Sequence, residues 1–242
     1  MRKLHWSLLK RLHRLGGRFG VHTRLDRRWL LDSSNWIDQQ LLIRRPYEVD
    51  QLARCRQLIR DHRLNYFFDI GANFGLYSVL LSDQPDLQEM HAFEPLPRNA
   101  RQFGANLFLN GLDNRVKLHE LALSDRAGQL ELFVDPHSTG VSTLLPAELR
   151  SRQDAYQTSI RVEARTFDDM FPLSGVRALV KMDVEGAELM ALNGMATFLA
   201  NNQVVLQVET MPQTLESVEK FMTATGYRAI GRLGADAYYS NL

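Results

Sequence analysis

The chain has 242 residues, of which 45% are hydrophobic and 24% charged, and its formal net charge is +1. These values are ordinary for a globular chain and fit one α/β domain with an additional terminal segment. No apolar run approaches the ~20 residues of a membrane span, so the composition excludes a membrane-spanning helix.

The charge is unevenly distributed, because residues 1–29 hold nine Lys or Arg and one Asp, a net +8 that leaves −7 for the rest. Leucines recur at helical spacing on one face before a glycine pair: Leu4, Leu8, Leu12 and Leu15. The pattern predicts a basic amphipathic helix within an N-terminal extension, 1–46, ahead of a domain over 47–242. Such a helix either contacts an anionic membrane or docks its leucines on the domain.

Cys55 is the only cysteine, so an intrachain disulfide is impossible and a reducing cytoplasm is the simpler location. The basic segment 1–29, called the basic head below, adds the possibility of a peripheral position on the inner face of a membrane. Cys55 falls in a predicted helix over 49–61, where we expect a packed, inert thiol.

From residue 65 onward, apolar strands alternate with helical patterns. The predicted strands cover 66–70, 89–93, 116–121, 129–134, 159–164, 178–183, 203–208, 227–232 and 237–240. The predicted helices cover 49–61, a run that begins near residue 75, 97–109, 187–192 and 213–225. This alternation is typical of an α/β fold with a mostly parallel sheet and helices on both faces.

The first of these strands leads into a glycine-containing turn. Asp69 ends the strand, Gly71 and Gly75 follow with Asn73 between them, and Glu94 follows the next strand. Glycines let the backbone approach a nucleotide-like ligand, and an acid about 20 residues downstream is placed to bind a ribose. We therefore predict a nucleoside cofactor.

The details of the turn favour S-adenosylmethionine. Asn73 replaces the glycine that lets a dinucleotide's pyrophosphate approach, and Asp69 would repel that anion, so NAD and FAD are disfavoured. A sulfonium ligand suits Asp69, and its ribose hydroxyls suit Glu94. We predict cofactor contacts from Asp69, Gly71, Asn73, Gly75 and Glu94.

Three blocks of sequence resemble the FkbM-type S-adenosylmethionine-dependent methyltransferases: 69–78 (DIGANFGLYS), 93–95 (FEP) and 180–188 (VKMDVEGAE). The resemblance covers roughly residues 65–209. It implies a class I methyltransferase fold, Rossmann-like, with a seven-stranded, mostly parallel sheet. It also implies O-methylation of a hydroxyl on a saccharide or a natural product.

Acidic residues follow the later strands, and a hydroxyl acceptor needs a base to take its proton. Asp183 is our first candidate for that catalytic role, followed by Glu185 and Glu209. The same three carboxylates could instead bind a divalent cation, although their spacing does not resemble a metal site, and we predict none. Lys181 shares a strand face with Asp183 and is a candidate substrate contact or a neutralising cation.

The segment after the third predicted strand supplies the remaining candidates. Ser124 and Asp125 are placed for adenine contacts, although Asp125 could instead stabilise a turn. His137 and Ser142 lie in a loop rich in hydroxyls, where substrate contacts are common.

The sequence as a whole predicts an O-methyltransferase acting on a saccharide, such as a glycan, lipopolysaccharide or lipid-linked sugar, or on a natural product. A catalytically silent binding protein of the same fold is the alternative, and an NAD-dependent oxidoreductase is a weaker one. Nucleic acid is not an expected partner, because the domain is acidic and lacks an Asn/Asp-Pro-Pro-Tyr block.

Overall fold

The computed structural model of the chain describes residues 18–135, 142–144 and 158–242. Its strands are β1 (Phe19–Arg24), β2 (Arg27–Asp32), β3 (Tyr66–Ile70), β4 (Glu89–Phe93), β5 (Lys117–His119), β6 (Ala122–Leu123), β7 (Gly128–Val134), β8 (Thr158–Arg165), β9 (Arg177–Met182), β10 (Gln203–Glu209), β11 (Arg228–Leu233) and β12 (Asp236–Ser240). Its helices are α1 (Trp36–Leu42), α2 (Val49–His62), α3 (Leu76–Leu81), α4 (Pro97–Leu109), α5 (Phe167–Met170), α6 (Glu188–Asn193), α7 (Ala196–Asn201) and α8 (Pro212–Ala224).

A seven-stranded sheet forms the centre, in the order β11-β12-β10-β9-β3-β4-β5. Strands β5, β4, β3, β9 and β10 are mutually parallel, and β12 and β11 join antiparallel. The predicted class I methyltransferase arrangement, seven-stranded and mostly parallel, is confirmed. The strand order reverses between β3 and β9, which is where open α/β sheets place their ligand crevice.

Successive residues of the central strands pack into two different hydrophobic cores, one on each face of the sheet. Phe67 and Leu179 pack with α2, α3 and α4, whereas Phe68 and Val180 pack with α6, α7 and α8. Side chains alternate across a strand, so a continuous apolar strand must be covered on both faces. The predicted helices on both faces are therefore confirmed.

The third predicted strand, 116–121, divides in the structure. Its first part, β5, completes the edge of the main sheet, whereas β6 pairs with β8 in a separate three-stranded sheet with β7. The two extra strands predicted beyond it are confirmed as β7 and β8. This small sheet covers the carboxyl end of β4 and helps to form the cleft described below.

The described part of the extension is a hairpin, β1–β2, followed by α1, rather than continuous helix. Leu25 and Asp26 both adopt positive φ, as a tight two-residue hairpin turn requires. Alternation along β2 buries Trp29 and Leu31 against the domain. The basic helix predicted from the leucines before residue 18 lies outside the described residues, and the division at residue 46 stays a prediction.

The hairpin is attached to the domain through α4. Side-chain amides four residues apart on that helix, Gln102, Asn106 and Asn110, bond the backbone of Leu30 and Arg28 in β2. Gln102 and Asn106 both bond Leu30, and Asn110 bonds Arg28. Four helical residues rise about 6 Å and two strand residues about 6.6 Å, so the step from Asn106 to Asn110 matches the step from Leu30 to Arg28. The helix thereby supplies hydrogen-bond partners to the edge of β2 opposite β1, which no strand covers in the described part of the chain.

Candidate active site

Three parallel strands bring their carboxyl ends together at the point where the strand order reverses. Gly71 N donates to Phe93 O at 3.0 Å, and Asp183 N donates to Ile70 O at 2.9 Å. Glu94 N donates to a carbonyl of β5 at 3.1 Å. The residues that follow β3, β4 and β9 are thus fixed against one another by backbone hydrogen bonds.

The turn after β3 has no space for side chains at its two glycines. Gly71 and Gly75 adopt φ of +77° and +90°. A Cβ on Gly71 would lie 1.8 Å from Asp183 O, and one on Gly75 would lie 2.1 Å from the Phe103 ring. The turn therefore packs tightly between β9 and α4. Asn73, between the two glycines, also has positive φ and turns its backbone N–H toward Glu94.

Glu94 is the buried acid of this turn. Its Oε2 accepts from Asn73 N and its Oε1 accepts from Leu96 N, both at 2.8 Å. Burial raises the pKa of Glu94 to about 7, although these two hydrogen bonds oppose the shift. Each carboxyl oxygen retains a further lone pair, so Glu94 can still accept from a ligand in the cleft that it lines.

The cleft extends from this turn to the small sheet. One end is apolar, with Leu121, Leu123 and Leu132 in its wall. Asn73 and Asn99 line the polar part, and the structure gives their side-chain oxygens no hydrogen-bond partner among the described residues. Buried amide oxygens without partners are uncommon in folded proteins, so these two are positions for a ligand's donors.

Four predicted cofactor contacts lie outside the lining: Asp69, Gly75, Ser124 and Asp125. Asp69 is buried beside α3, where its Oδ2 accepts from Ser78 N at 3.1 Å and from Ser78 Oγ at 2.7 Å. Ser124 is buried with its hydroxyl donating to Asp125, and Asp125 is exposed. The structure therefore gives Asp69 the role of anchoring α3, because its side chain points away from the cleft. The residues just before Ser124, Leu121 to Leu123, line the cleft instead.

The three candidate bases lie together around Asp183. Asp183 and Glu185 line the cleft, whereas Glu209 faces Asp183 from the end of β10. Burial, followed by the charges of Asp183 and Glu209, raises the pKa of Glu185 to about 9. The charge of Asp183 and then burial raise the pKa of Glu209 to about 8. The protonated forms of Glu185 and Glu209 are therefore favoured, and Asp183, which pairs with Lys181, stays the first candidate for the base.

Lys181 is buried next to these acids. Its Nζ lies 3.2 Å from Asp183 Oδ2 and 3.4 Å from Gly71 O. Burial lowers the pKa of Lys181, but the carboxylates of Asp183, Asp69 and Glu209 outweigh it and raise the pKa. Lys181 is therefore a fixed cation that neutralises Asp183.

A second cavity lies on the other side of the turn and shares Gly71, Asn73 and Asp183 with the cleft. It adds one segment that the sequence did not single out. Tyr47 and Glu48 border it from the start of α2. Their position depends on how the chain crosses the sheet, and one sequence carries no local signal for it.

Hydrogen bonds order the wall of this second cavity. Tyr77 Oη donates to Glu48 Oε2 at 2.8 Å, and Gln207 Nε2 donates to Tyr77 Oη at 3.0 Å and to Asp236 Oδ1 at 2.8 Å. Cys55 is fully buried behind this wall, with Sγ 2.9 Å from Gln207 Oε1. The wall is acidic and rigid, and the thiol is closed off from solvent.

Ser142 lines the cleft opposite the turn, whereas His137 lies outside the described residues. Within the described ranges, Asp183, Glu185 and Glu209 do not form a group arranged to hold a metal ion, and neither does any other set of three His, Cys, Asp or Glu. None of the helices in that part of the chain is both long enough and apolar enough to cross a membrane.

Comparison with known proteins gives one family. The model of the family described as the methyltransferase FkbM domain matches residues 69–229, roughly two thirds of the chain. Methyltransferase sdnD of Sordaria araneosa is 31% identical over 157 residues, 53% of this chain and 60% of that protein. The chain thus spans less than two thirds of this curated relative.

Two further relatives are more distant. The 31-O-demethyl-FK506 methyltransferase FkbM of Streptomyces tacrolimicus is 25% identical over 191 residues, 67% of this chain and 72% of that protein. The crystal structure of methyltransferase FkbM from Methylobacillus flagellatus KT has a TM-score of 0.49 at 14% identity, covering 74% of this chain and 44% of that chain.

Proposed function

The chain belongs to the FkbM methyltransferase domain family, and from this premise we propose that it is an S-adenosylmethionine-dependent O-methyltransferase. One observation carries the proposal. The cleft and the second cavity meet at Gly71, Asn73 and Asp183, so two ligands bound on either side would meet beside a carboxylate. A transferase needs such a meeting point for donor and acceptor.

The residues of the cleft fit the cofactor. Glu94 and the unpartnered oxygens of Asn73 and Asn99 would hold its hydroxyl and amino donors, and Leu121 and Leu132 would contact its adenine. When bound, S-adenosylmethionine supplies a methyl group on a sulfonium, which is an electrophile. The apolar wall would exclude water from the reacting atoms.

The second cavity would hold the acceptor. Asp183 takes the proton of the acceptor hydroxyl, and Lys181 holds its carboxylate in place through the ion pair at 3.2 Å. Glu209 and Glu185 remain protonated at neutral pH and can donate hydrogen bonds to other oxygens of the acceptor.

Substitution of the three acids tests this assignment. We expect Asp183→Asn to lower turnover by ~10²-fold or more, because a neutral amide cannot take the proton. Glu209→Gln and Glu185→Gln should stay within about tenfold of wild type at pH 7, since both acids are already neutral there. Calorimetry must show that each variant still binds S-adenosylmethionine. Equal turnover of Asp183→Asn and wild type would remove Asp183 from the mechanism.

We propose that the methyl group is transferred to a hydroxyl oxygen of a saccharide or a natural product. One relative is named for a 31-O-demethyl compound, and the acid-lined second cavity offers many acceptors for the hydroxyl groups of a polyol. Transfer of labelled methyl groups into fractionated cell extracts would identify the product. Label confined to protein or nucleic acid would contradict a small hydroxylated acceptor.

Calorimetry separates the enzyme from its two competitors. We expect S-adenosylmethionine to bind and NADH not to bind. Binding of NADH alone would support an oxidoreductase, and cofactor binding without methyl transfer to any extract would support a silent binding protein.

We also propose that the chain works in the cytoplasm at the inner face of a membrane. Phe19, Val21 and Leu25 expose apolar side chains on the hairpin, next to the basic head. Apolar side chains among cations suit an anionic lipid surface.

A further inference from the structure

A third cavity, of about 490 Å³, lies between the hairpin turn and the segment that joins α1 to α2. Cavities of this size bind small ligands. Its described lining contains three guanidinium groups, Arg24, Arg44 and Arg45, against one carboxylate, Asp26. Leu25 and Val49 supply exposed apolar wall. A cavity with this charge attracts anions.

The three arginines have different tasks. Arg24 is committed to the protein, because its Nε donates to Leu41 O and its Nη2 to Leu42 O, both at 3.0 Å, at the end of α1. Arg24 therefore forms a fixed wall and neutralises the negative end of that helix. Arg44 and Arg45 follow the helix and are exposed at the cavity. Arg45 Nη1 also lies 3.4 Å from Gln40 Oε1. Both guanidinium groups are exposed at the cavity, so an anion there can reach them.

The arginine cavity adjoins the proposed acceptor site at one residue. Tyr47 lines both this cavity and the second cavity, which contains Asp183 and Glu209. Burial, followed by the charges of Glu48, Asp183 and Glu209, raises the pKa of Tyr47, which places its phenol in the field of these carboxylates. One ligand could therefore extend past Tyr47 from the arginines to Asp183.

The charges on either side of Tyr47 also set the direction of such a ligand. In the described lining of the inner cavity the carboxylates of Glu48, Asp183 and Asp236 outnumber the one cation, Lys181, and would repel an anionic group. Arg44 and Arg45 would bind such a group at the outer cavity. The uncharged hydroxyl end of the ligand is then the end that reaches Asp183.

We infer that the acceptor carries a phosphate group, which Arg44 and Arg45 bind while the hydroxyl to be methylated lies near Asp183. This rests on the proposed function for the position of the hydroxyl, but not for the binding of phosphate. Guanidinium groups pair with phosphate in two-point hydrogen bonds, which makes arginine the usual residue for such groups. Arg44 and Arg45 would thus select phosphorylated acceptors, such as sugar phosphates or phosphate-linked lipids.

Binding of inorganic phosphate to the full chain tests this without turnover. Titration is followed by tryptophan fluorescence, since Trp36 lies edge-on to Tyr47 at 6.2 Å, and sodium chloride at equal ionic strength is the reference. We expect saturable binding by wild type and at least a tenfold loss in Arg44→Gln/Arg45→Gln. Arg63→Gln is the matched control, because Arg63 also follows a helix with positive φ and is exposed but lines none of the three cavities.

A second arm identifies the source of the phosphate. Flotation with phosphatidate vesicles, compared with phosphatidylcholine vesicles, reports a lipid phosphate. Loss of binding by Arg44→Gln/Arg45→Gln, in the phosphate titration or in the flotation, supports the inference. Which of the two measurements shows the loss tells whether free or lipid phosphate is bound. No phosphate binding by wild type, or equal binding by wild type, double variant and Arg63→Gln in both arms, would overturn it. Neither result depends on Asp183 or on S-adenosylmethionine, so the proposed function would stand.

Discussion

Asp38 is a carboxyl group enclosed between α1 and α4. Its Oδ1 accepts from Gln102 Nε2 at 2.8 Å, whereas its Oδ2 has no partner among the described residues. Burial raises the pKa of Asp38 to about 7; the charge of Asp32 adds to this shift, and Gln102 and Arg98 oppose it. The folded protein therefore retains a proton on Asp38 that the unfolded chain releases near pH 4.

This proton makes stability depend on pH. Because the pKa of Asp38 is raised on folding, its contribution is fully present below pH 4 and is lost as the pH rises through about 7. Asp38→Asn removes this loss. We expect the unfolding free energy of the variant, relative to wild type, to rise by ~1 kcal/mol or more between pH 4.5 and pH 8 in urea denaturation. Asp113→Asn, on the exposed turn after α4, should show no such rise, and a pH-independent difference for Asp38→Asn would contradict the prediction.

At this scale the sequence located residues better than it oriented them. Asp183 and Glu94 line the cleft because each directly follows a strand whose end lies at the crevice, and Glu185 lines it two residues after Asp183. Asp69 is the last residue but one of its strand, and alternation turns its side chain to Ser78 instead. The predicted bounds of this strand, 66–70, agree with those of β3. What the sequence did not show is which face of the strand Asp69 occupies relative to α3, because that depends on where the helix packs on the sheet.

The turn between β3 and α3 is the element on which the cleft depends. Gly71→Ala would place a methyl group 1.8 Å from Asp183 O, in backbone that cannot yield. We expect it to destabilise the fold by more than ~2 kcal/mol and to weaken binding of S-adenosylmethionine, as measured by thermal unfolding and calorimetry. Gly104→Ala is the control. It lies in α4 with open space around it, so it should stabilise by up to ~1 kcal/mol. Wild-type stability and cofactor binding in Gly71→Ala would contradict this account of the turn.

The amide ladder between α4 and β2 is a second element with a measurable role. Asn106 is fully buried; its Oδ1 accepts from Leu30 N at 2.7 Å and its Nδ2 donates to Phe74 O at 2.9 Å. Asn106→Ala leaves both backbone groups buried without partners, so we expect a loss of ~2 kcal/mol or more in unfolding free energy. The exposed Asn114→Ala should change it by less than ~0.5 kcal/mol. Equal stability of the two variants would show that the ladder contributes nothing.

The sequence predicted the elements of the domain because their periodicity is long and regular, but it missed this hairpin. Residues 19–32 contain arginines at half-buried and exposed positions, and the sequence placed them only within a basic helical extension over 1–46. The alternation of buried and exposed side chains along β2 can be recognised only once α4 is known to supply the amides that bond its edge. Partners distant in the sequence decided that element.

The whole molecule separates its charges, with +8 in residues 1–29 and −7 elsewhere. The hairpin adds exposed apolar side chains to this basic part of the chain: Phe19 and Val21 are 46% and 51% exposed. Arg18 lies over the Phe19 ring at 5.4 Å, so cation and apolar surface are adjacent. Cations next to exposed apolar side chains suit an anionic surface, so we expect binding to such a surface to depend on residues 1–29.

Flotation with anionic vesicles measures this binding directly. We expect the full chain to float, and to float less as salt is raised, because lysine and arginine near such a surface are screened within a Debye length. Phe19→Thr/Val21→Thr keeps strand-forming residues in β1 and should reduce flotation, as should a variant that begins at Arg18. Phe108→Thr removes an even more exposed aromatic side chain from α4, 76% exposed, and should float like wild type. If all four proteins floated equally, binding would not run through the head and hairpin, and the acceptor would have to reach the enzyme from solution.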